Sequence, residues 1–443
     1  MKEKKKIPLR ERSVLSRTNF QEEFLHYVWK YKLFPINEMY LVSGEKLTIN
    51  HSGKHNFDSG PDFFNAKIFI DDQLWAGNVE VHLKSSDWYV HGHETDDNYD
   101  AVILHVVWEN DVPVLDKNGI EYPTLELKDF VFKNTIVNYN NLLFQKNKWV
   151  LCEEKIGSVD QLIKESWLSR LYFERLENKA KVVKELLAEK SNDWEQVLFL
   201  MLFKNFGLKL NGVAFFNLAN SFEFSVFRKL QNTDIGLESL MFGQAGFLND
   251  EKYDLYFLDL KKEFNFLKKK HKLTPVFKNQ IQFFRLRPAN FPTIRISQFT
   301  SLYKQNKSLF TSVVKSKKLE DLYELFQVKT SEYWESHYSF GKISKKQQKR
   351  ITKSFIDLLI INTILPIKYL YMKSKGEHDF EELENLIRAM KPEKNSIIEN
   401  FDKLGLISSS AFYSQALLEL KNNYCNHKKC LQCSIGLKIL NRK

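Results

Sequence analysis

Apolar positions recur at three- and four-residue spacing near the N-terminus, at Phe20, Phe24, Tyr27, Val28 and Tyr31. That spacing predicts an amphipathic helix over residues 19–34, capped by Thr18 or Asn19. Glu22 and Glu23 fall in its first turns, where carboxylates suit the helix dipole. From Tyr40 to Trp108 the pattern changes to short alternating runs separated by turn residues. Strands are expected at 47–50, 64–70 and 74–84, with Asp71-Asp72 as the turn between the last two. Residues 101–108 are almost continuously apolar, as in a strand buried on both faces. Residues 112–115 and 124–127 read as a further hairpin around Lys117-Asn118-Gly119. After Gly157 the spacing is helical nearly throughout, with no fixed-period repeat. The pattern therefore predicts an α+β chain. A mixed-sheet domain occupies residues 1–150, and a large all-α region follows over 151–443.

Composition adds bounds to this picture. A chain of 443 residues with 43% hydrophobic residues is too long for one core and rich enough for packed interiors, so two or three domains are expected. The net charge of +11 suits a polyanionic partner such as nucleic acid, although a lysine-rich composition alone gives the same balance. No run of eighteen apolar residues stands in the sequence, so no membrane span is expected. The basic stretch 1–12 lacks the apolar segment of a secretory signal, and the chain reads as cytoplasmic. Arg285, Arg287 and Arg295 flank two prolines; their guanidinium groups match phosphate geometry, or pair with acids at a domain junction.

The chemistry concentrates between Gly60 and His105. On a strand spanning 77–84, Glu80, His82 and Lys84 share one face, and Val79, Val81 and Leu83 share the other. Asp62 follows a Gly-Pro turn at the head of the preceding strand, and a hairpin turning at 71 and 72 sets it level with Glu80. Two carboxylates converging so would hold a hard cation, magnesium or manganese, with His82 or Lys84 placing a water. A plain surface hairpin is the alternative.

Pro61-Asp62 followed by Glu80-x-His82 resembles the PD-(D/E)xK nuclease superfamily. In that fold a helix precedes a mixed sheet, an acid begins the second strand and an acid-x-lysine motif lies on the third. The resemblance implies a nuclease-like domain in which Asp62 and Glu80 bind the metal and Glu22 or Glu23 is an accessory acid. His82 stands where the lysine is expected, which puts water activation in question, with Lys84 one step further on. The chain as a whole is similar to a bacterial family, domain-of-unknown-function family 2851. The shared features are Gly60-Pro61-Asp62-Phe63, Val79-Glu80-Val81-His82, Ser86-Asp87-Trp88, His91-Gly92-His93, Leu104-His105-Val106-Val107, the segment 288–295 and the terminal cysteines. That likeness carries no established activity.

His82, His91, His93 and His105 also permit a nitrogen-rich zinc or iron site, or a general acid; His105, inside an apolar strand, equally suits a core role. Trp88 can stack a nucleic-acid base or cap the end of the sheet. Three of four cysteines, Cys425, Cys430 and Cys433, cluster near the C-terminus and suit zinc or an iron–sulfur cluster, with Cys152 or His427 as fourth ligand. Three functions stand open at this stage: a metal-dependent nuclease, an inactive nuclease-like module that binds nucleic acid or protein, and a zinc- or iron-dependent hydrolase built on the histidines.

Overall fold

The computed structural model describes residues 21–36, 38–144, 148–249, 254–276 and 281–441. The basic stretch 1–12 and the first residues of the expected opening helix lie outside them. The architecture is α+β and divides into two compact units. The first comprises Met1–Trp167, Leu404–Leu406 and Leu420–Lys443; the second comprises Leu168–Lys403 and Ile407–Glu419. The first unit thus runs past residue 150 and takes in the C-terminal cysteine segment, which the sequence reading assigns to the helical region.

In the first unit, helix α1 (Glu22–Lys30) buries Phe24, Leu25, Tyr27, Val28 and Trp29. The sheet follows in the order β1 (Met39–Tyr40), β2 (Lys46–His51), β4 (Phe63–Ile70), β5 (Gln73–Lys84), β6 (Val102–Glu109) and β7 (Thr124–Glu126), with β3 (Lys54–His55) pairing onto β4. β2, β4 and β5 run antiparallel, whereas β5, β6 and β7 are parallel. β6 is buried from Val102 to Val107, as its apolar run requires. β5 has an exposed outer half and a buried inner stretch, Val79 to His82, where alternation of burial disappears. Both faces of β5 are covered there, so Glu80 and His82 are enclosed along with the valines.

The register of β4 on β5 decides what meets what. Near the turn, Ile70 pairs with Gln73 and Ala66 with Gly77; past an irregularity, Phe63 pairs with Val79. Asn65, with φ 57°, carries the shift, and its N–H donates to Asn78 Oδ1 at 3.3 Å. This one-residue bulge sets Asp62 opposite Glu80, a re-aiming that bulges commonly perform beside functional sites. The hairpin expected around Lys117 to Gly119 forms only a single bridge, Leu115 to Glu121. β7 instead joins β6 in parallel, because its buried Thr124 and Leu125 gain more from the sheet interior than from a two-stranded ribbon.

The second unit is helical. Its core stacks Phe199, Phe203, Phe206, Phe215, Phe227, Phe299 and Tyr303, all fully buried. Its one hairpin among the described residues pairs His337–Ser339 with Lys342–Ile343. The run Lys353–Ser374 is long and apolar enough to cross a membrane, and 67% of its apolar window is buried inside the fold.

Candidate metal centre

The crossover from β5 to β6 shapes one wall of the site. Ser85 and Ser86 are pinned by Asp111, which accepts from the Ser85 hydroxyl at 3.0 Å and the Ser86 N–H at 2.9 Å. A short helix, α2 (Asp87–Val90), then leads to His91-Gly92-His93. Gly92 takes φ 74°, a left-handed turn that suits glycine. The turn brings the His91 and His93 rings to 5.4 Å between centroids. Beneath them Trp88, Tyr99, Val102 and Val114 form a small apolar cluster, and the His93 ring stacks on Tyr99 at 3.8 Å.

Helix α1 supplies the opposite wall. Glu22 and His26 lie one turn apart and share a face. Of the two acids in the first turn, Glu22 is partly buried and turned inward, whereas Glu23 is exposed. His26 Nε2 lies 3.1 Å from Asp62 Oδ2. Asp62 Oδ2 also accepts from the Val81 N–H at 3.0 Å, and the Asp62 N–H donates to Glu80 Oε2 at 3.1 Å. The other oxygen of Glu80 stands 3.4 Å from His82 Nε2 and 3.3 Å from His93 Nε2. His82 Nε2 also faces His91 Nδ1 at 3.1 Å and Glu22 Oε1 at 4.0 Å. Two donor trios result, each with its ligand atoms within 4.8 Å of one another: His82, His91 and His93, and Glu22, His26 and Asp62. Glu80 stands beside both.

His105 plays a supporting part. It is fully buried, and its Nε2 meets His82 Nδ1 at 2.9 Å. In the tautomer in which His82 Nδ1 donates in that bond, the lone pair of His82 is directed inward from Nε2. A histidine that ligates a metal is commonly held through its other nitrogen in this way. The ring nitrogen His93 Nε2 is buried and makes no hydrogen bond of good geometry. Buried polar atoms of that kind ordinarily find partners, and donors left without one suit a cation.

The electrostatics agree with this donor set. Burial, with the charges of His105, His93 and His91, pushes the His82 pKa down to about 2. Burial and the charge of His93 bring His105 down to about 3. Burial also lowers His93. These imidazoles are therefore neutral, the form that coordinates metals. Burial and the Asp62 charge raise Glu22 to about 7 and hold Glu80 well above the usual carboxylate range. Burial pulls His26 down, but the bond to Asp62 and the charges of Asp62 and Glu22 outweigh it and raise its pKa. Enclosed carboxylates with a penalty on their charged form are relieved by a cation.

Several sequence expectations are sharpened here. Asp62 and Glu80 are neighbours as expected, but each converges with histidines rather than forming an all-oxygen pair. Lys84 is exposed at the end of β5, and its backbone N–H donates to Asp87 Oδ2 at 2.9 Å. Two assignments are corrected. Trp88 is 1% exposed, edge-on to His82 and His105 and packed on Tyr122, so no face is free to stack a base. Arg295, in the second unit, is buried; its guanidinium donates to Gln298 Oε1 at 2.9 Å and Asn290 Oδ1 at 2.6 Å and lies 3.5 Å over the Phe355 ring, so it is not available to a phosphate. Arg285 and Arg287 are exposed in the same unit. His26 is the residue that sequence reasoning missed, and its signal was the four-residue spacing from Glu22 on the polar stripe of α1. His55 was missed as well; it stacks on Phe63 at 4.7 Å, and burial lowers its pKa to about 4.

Cys152, Cys425, Cys430 and Cys433 line one pocket of the first unit, together with Leu151, Ile156 and other apolar side chains. His427 is exposed and not among the lining residues, so Cys152 is the fourth cysteine of the set.

Neither curated proteins nor solved structures give a match to this chain. A family model described as "Protein of unknown function (DUF2851)" matches residues 22–396, and the chain belongs to that family.

Proposed function

We propose that the histidine–carboxylate cluster is the centre of a metal-dependent hydrolase that cleaves the phosphodiesters of nucleic acid. The observation that carries this reading is the convergence of His82, His91 and His93 within 4.8 Å, alongside a second trio of Glu22, His26 and Asp62. The mixed imidazole and carboxylate donors favour manganese, iron or zinc over magnesium. The substrate class rests on the net charge of +11 and on the likeness to PD-(D/E)xK nucleases. A helix-borne acid, an acid at the head of one strand and an acid on the next recur here as Glu22, Asp62 at the start of β4 and Glu80 on β5. The chain acts on nucleic acid in the cytoplasm in this reading.

A bound divalent ion would supply charge neutralisation at phosphate and a water of lowered pKa. The roles of the protein groups follow from their positions. Asp62, Glu22 and His26 hold one side of the centre, and His82, His91 and His93 hold the other, with Glu80 between them. His82 is a ligand rather than a base, because its Nδ1 is bonded to His105 and burial keeps its ring from taking a proton. His91 is exposed at the rim, so its trio closes the centre on the side that faces solvent.

The test is incubation of the full chain with supercoiled plasmid, single-stranded DNA and RNA, with manganese, iron, zinc or magnesium in turn. Cleavage dependent on a transition metal and lost in Asp62→Ala and His82→Ala is expected. Equal cleavage by wild type and Asp62→Ala would place the activity elsewhere. Absence of cleavage with equal DNA binding by both proteins would make the chain a binding module.

A further inference from the structure

We propose that the pocket lined by Cys152, Cys425, Cys430 and Cys433 binds an iron–sulfur cluster rather than a single zinc ion. This goes beyond the hydrolase reading and does not rest on it.

All four cysteines of the chain meet at this one place. They come from two stretches far apart in sequence, the turn around Cys152 and the segment from Cys425 to Cys433. They are free thiols. Burial and their mutual charges push Cys152 and Cys430 up to about 12, and Cys425 and Cys433 also rise. Four thiols gathered from separate segments, Cys433 buried and the other three half-buried, contribute nothing to an apolar core that alanine or valine would not, so a shared soft ligand is the economical reason for the gathering.

The spacing of the sulfurs decides which ligand. Zinc draws four thiolates to about 2.3 Å, which leaves the sulfurs about 3.8 Å apart in a tetrahedron with no void between them. Among the described residues, the donor trios within 4.8 Å of one another both belong to the histidine–carboxylate centre, and no trio of cysteine sulfurs is so close. An iron–sulfur cluster takes one thiolate at each iron and spreads the sulfurs around an inorganic core. Sulfurs set wider apart than in a zinc tetrahedron, in an apolar lining, fit that arrangement.

The surroundings support the same ligand. The backbone N–H groups of Ile435 and Gly436 favour the Cys433 thiolate and offset part of the rise that burial causes, an influence that suits a cluster thiolate. Gly436 permits it: a Cβ there would stand 2.2 Å from the Cys430 carbonyl oxygen. Lys429 lines the pocket, and the charges of Lys421 and Lys428 favour the thiolates of Cys425 and Cys430. The segment is also fastened within the unit. Lys421 Nζ donates to Trp149 O at 3.1 Å, Asn138 donates to Leu440 O at 3.0 Å, and the Tyr27 hydroxyl of α1 donates to Asn441. α1 packs directly on the turn at Cys430–Gln432. The cluster would therefore fasten the helix that carries Glu22 and His26.

The full chain, purified without oxygen, is assayed for iron, acid-labile sulfide and zinc, and by visible absorption. Iron and sulfide in near-equal amounts, with charge-transfer absorption, are expected in wild type and in Asp62→Ala. Both fall to near zero in Cys430→Ser and Cys152→Ser. One zinc per chain without sulfide, no metal at all, or a cluster retained in both cysteine variants would overturn the proposal. If the cysteine variants do not stay soluble, the iron and sulfide content of wild type decides the matter alone. Loss of nuclease activity with an intact cluster would count against the hydrolase reading only.

Discussion

The first unit gathers donor atoms in two places, and the two differ in almost every physical respect. The histidine–carboxylate centre is polar, and its groups have pKa values pushed in opposite directions, Glu22 up to about 7 and His82 down to about 2. The cysteine pocket is apolar, and all its groups are pushed the same way. The first is assembled on the β4–β5 pair, a helix face and the His91-Gly92-His93 turn, where spacing of two and four residues aligns side chains. The second joins two distant segments by contact alone. The lesson is one of division of labour. Mixed imidazole and carboxylate donors beside an exposed histidine suit an ion that exchanges water and acts on a substrate. Four sulfurs gathered in an apolar pocket suit a cofactor that holds chain segments together.

The sharpest way to break this contrast is to substitute one member of each cluster. His82→Ala removes the nitrogen that faces His91, Glu80 and Glu22; nucleolytic activity should vanish in the discontinuous cleavage assay while iron and sulfide content stays at the wild-type level. Cys152→Ser should do the reverse in kind. A structural metal contributes folding free energy, so the melting temperature should fall by roughly 5–10 °C, the scale of a few kcal/mol in a domain of this size. Calorimetry under nitrogen reads it.

A finer test separates holding from binding. His105 touches His82 but belongs to neither trio. His105→Ala should weaken manganese binding by about 10- to 100-fold, the usual effect of losing the group that orients a ligating histidine. Isothermal titration reads the change, and His105→Asn, which retains a hydrogen-bonding group, should recover part of it. If His105→Ala changes only the melting temperature, the residue is a core histidine and no more.

The smallest effect concerns protons. Glu22 is held up to about 7 by burial and by Asp62, so near neutrality it is partly protonated and must lose that proton to serve a cation. Metal affinity should therefore rise with pH through about 7. Titrations in buffers of different ionisation enthalpy should show protons released on binding. Cluster content should not follow that curve.

Much of the first unit was legible in the sequence. The apolar run of β6, the turn at Asp71 and the alternation on β5 led to the strands and to Glu80 and His82 on one face. The rarity of cysteine pointed to the second cluster. The bulge at Asn65 was not legible, since a one-residue shift leaves no mark on periodicity, yet it is what sets Asp62 opposite Glu80. His26 was hidden because a helix-borne histidine far from the motif gains meaning only when α1 packs on β5. Trp88 and Arg295 misled for the complementary reason: their chemistry suits nucleic acid, but burial, which sequence does not state, removes both from solvent. The division into units escaped too, because residues 420–443 return to the first unit through contacts rather than through any local signal.

The account turns on a metal ion held by His82, His91 and His93 beside Glu80. Crystals soaked in manganese and measured for anomalous scattering address it directly. The prediction is a peak within bonding distance of His82 Nε2 and the neighbouring His91 and His93 rings, absent in His82→Ala. A manganese-soaked crystal with no anomalous density at these histidines, with manganese found only at exposed surface carboxylates, would contradict it.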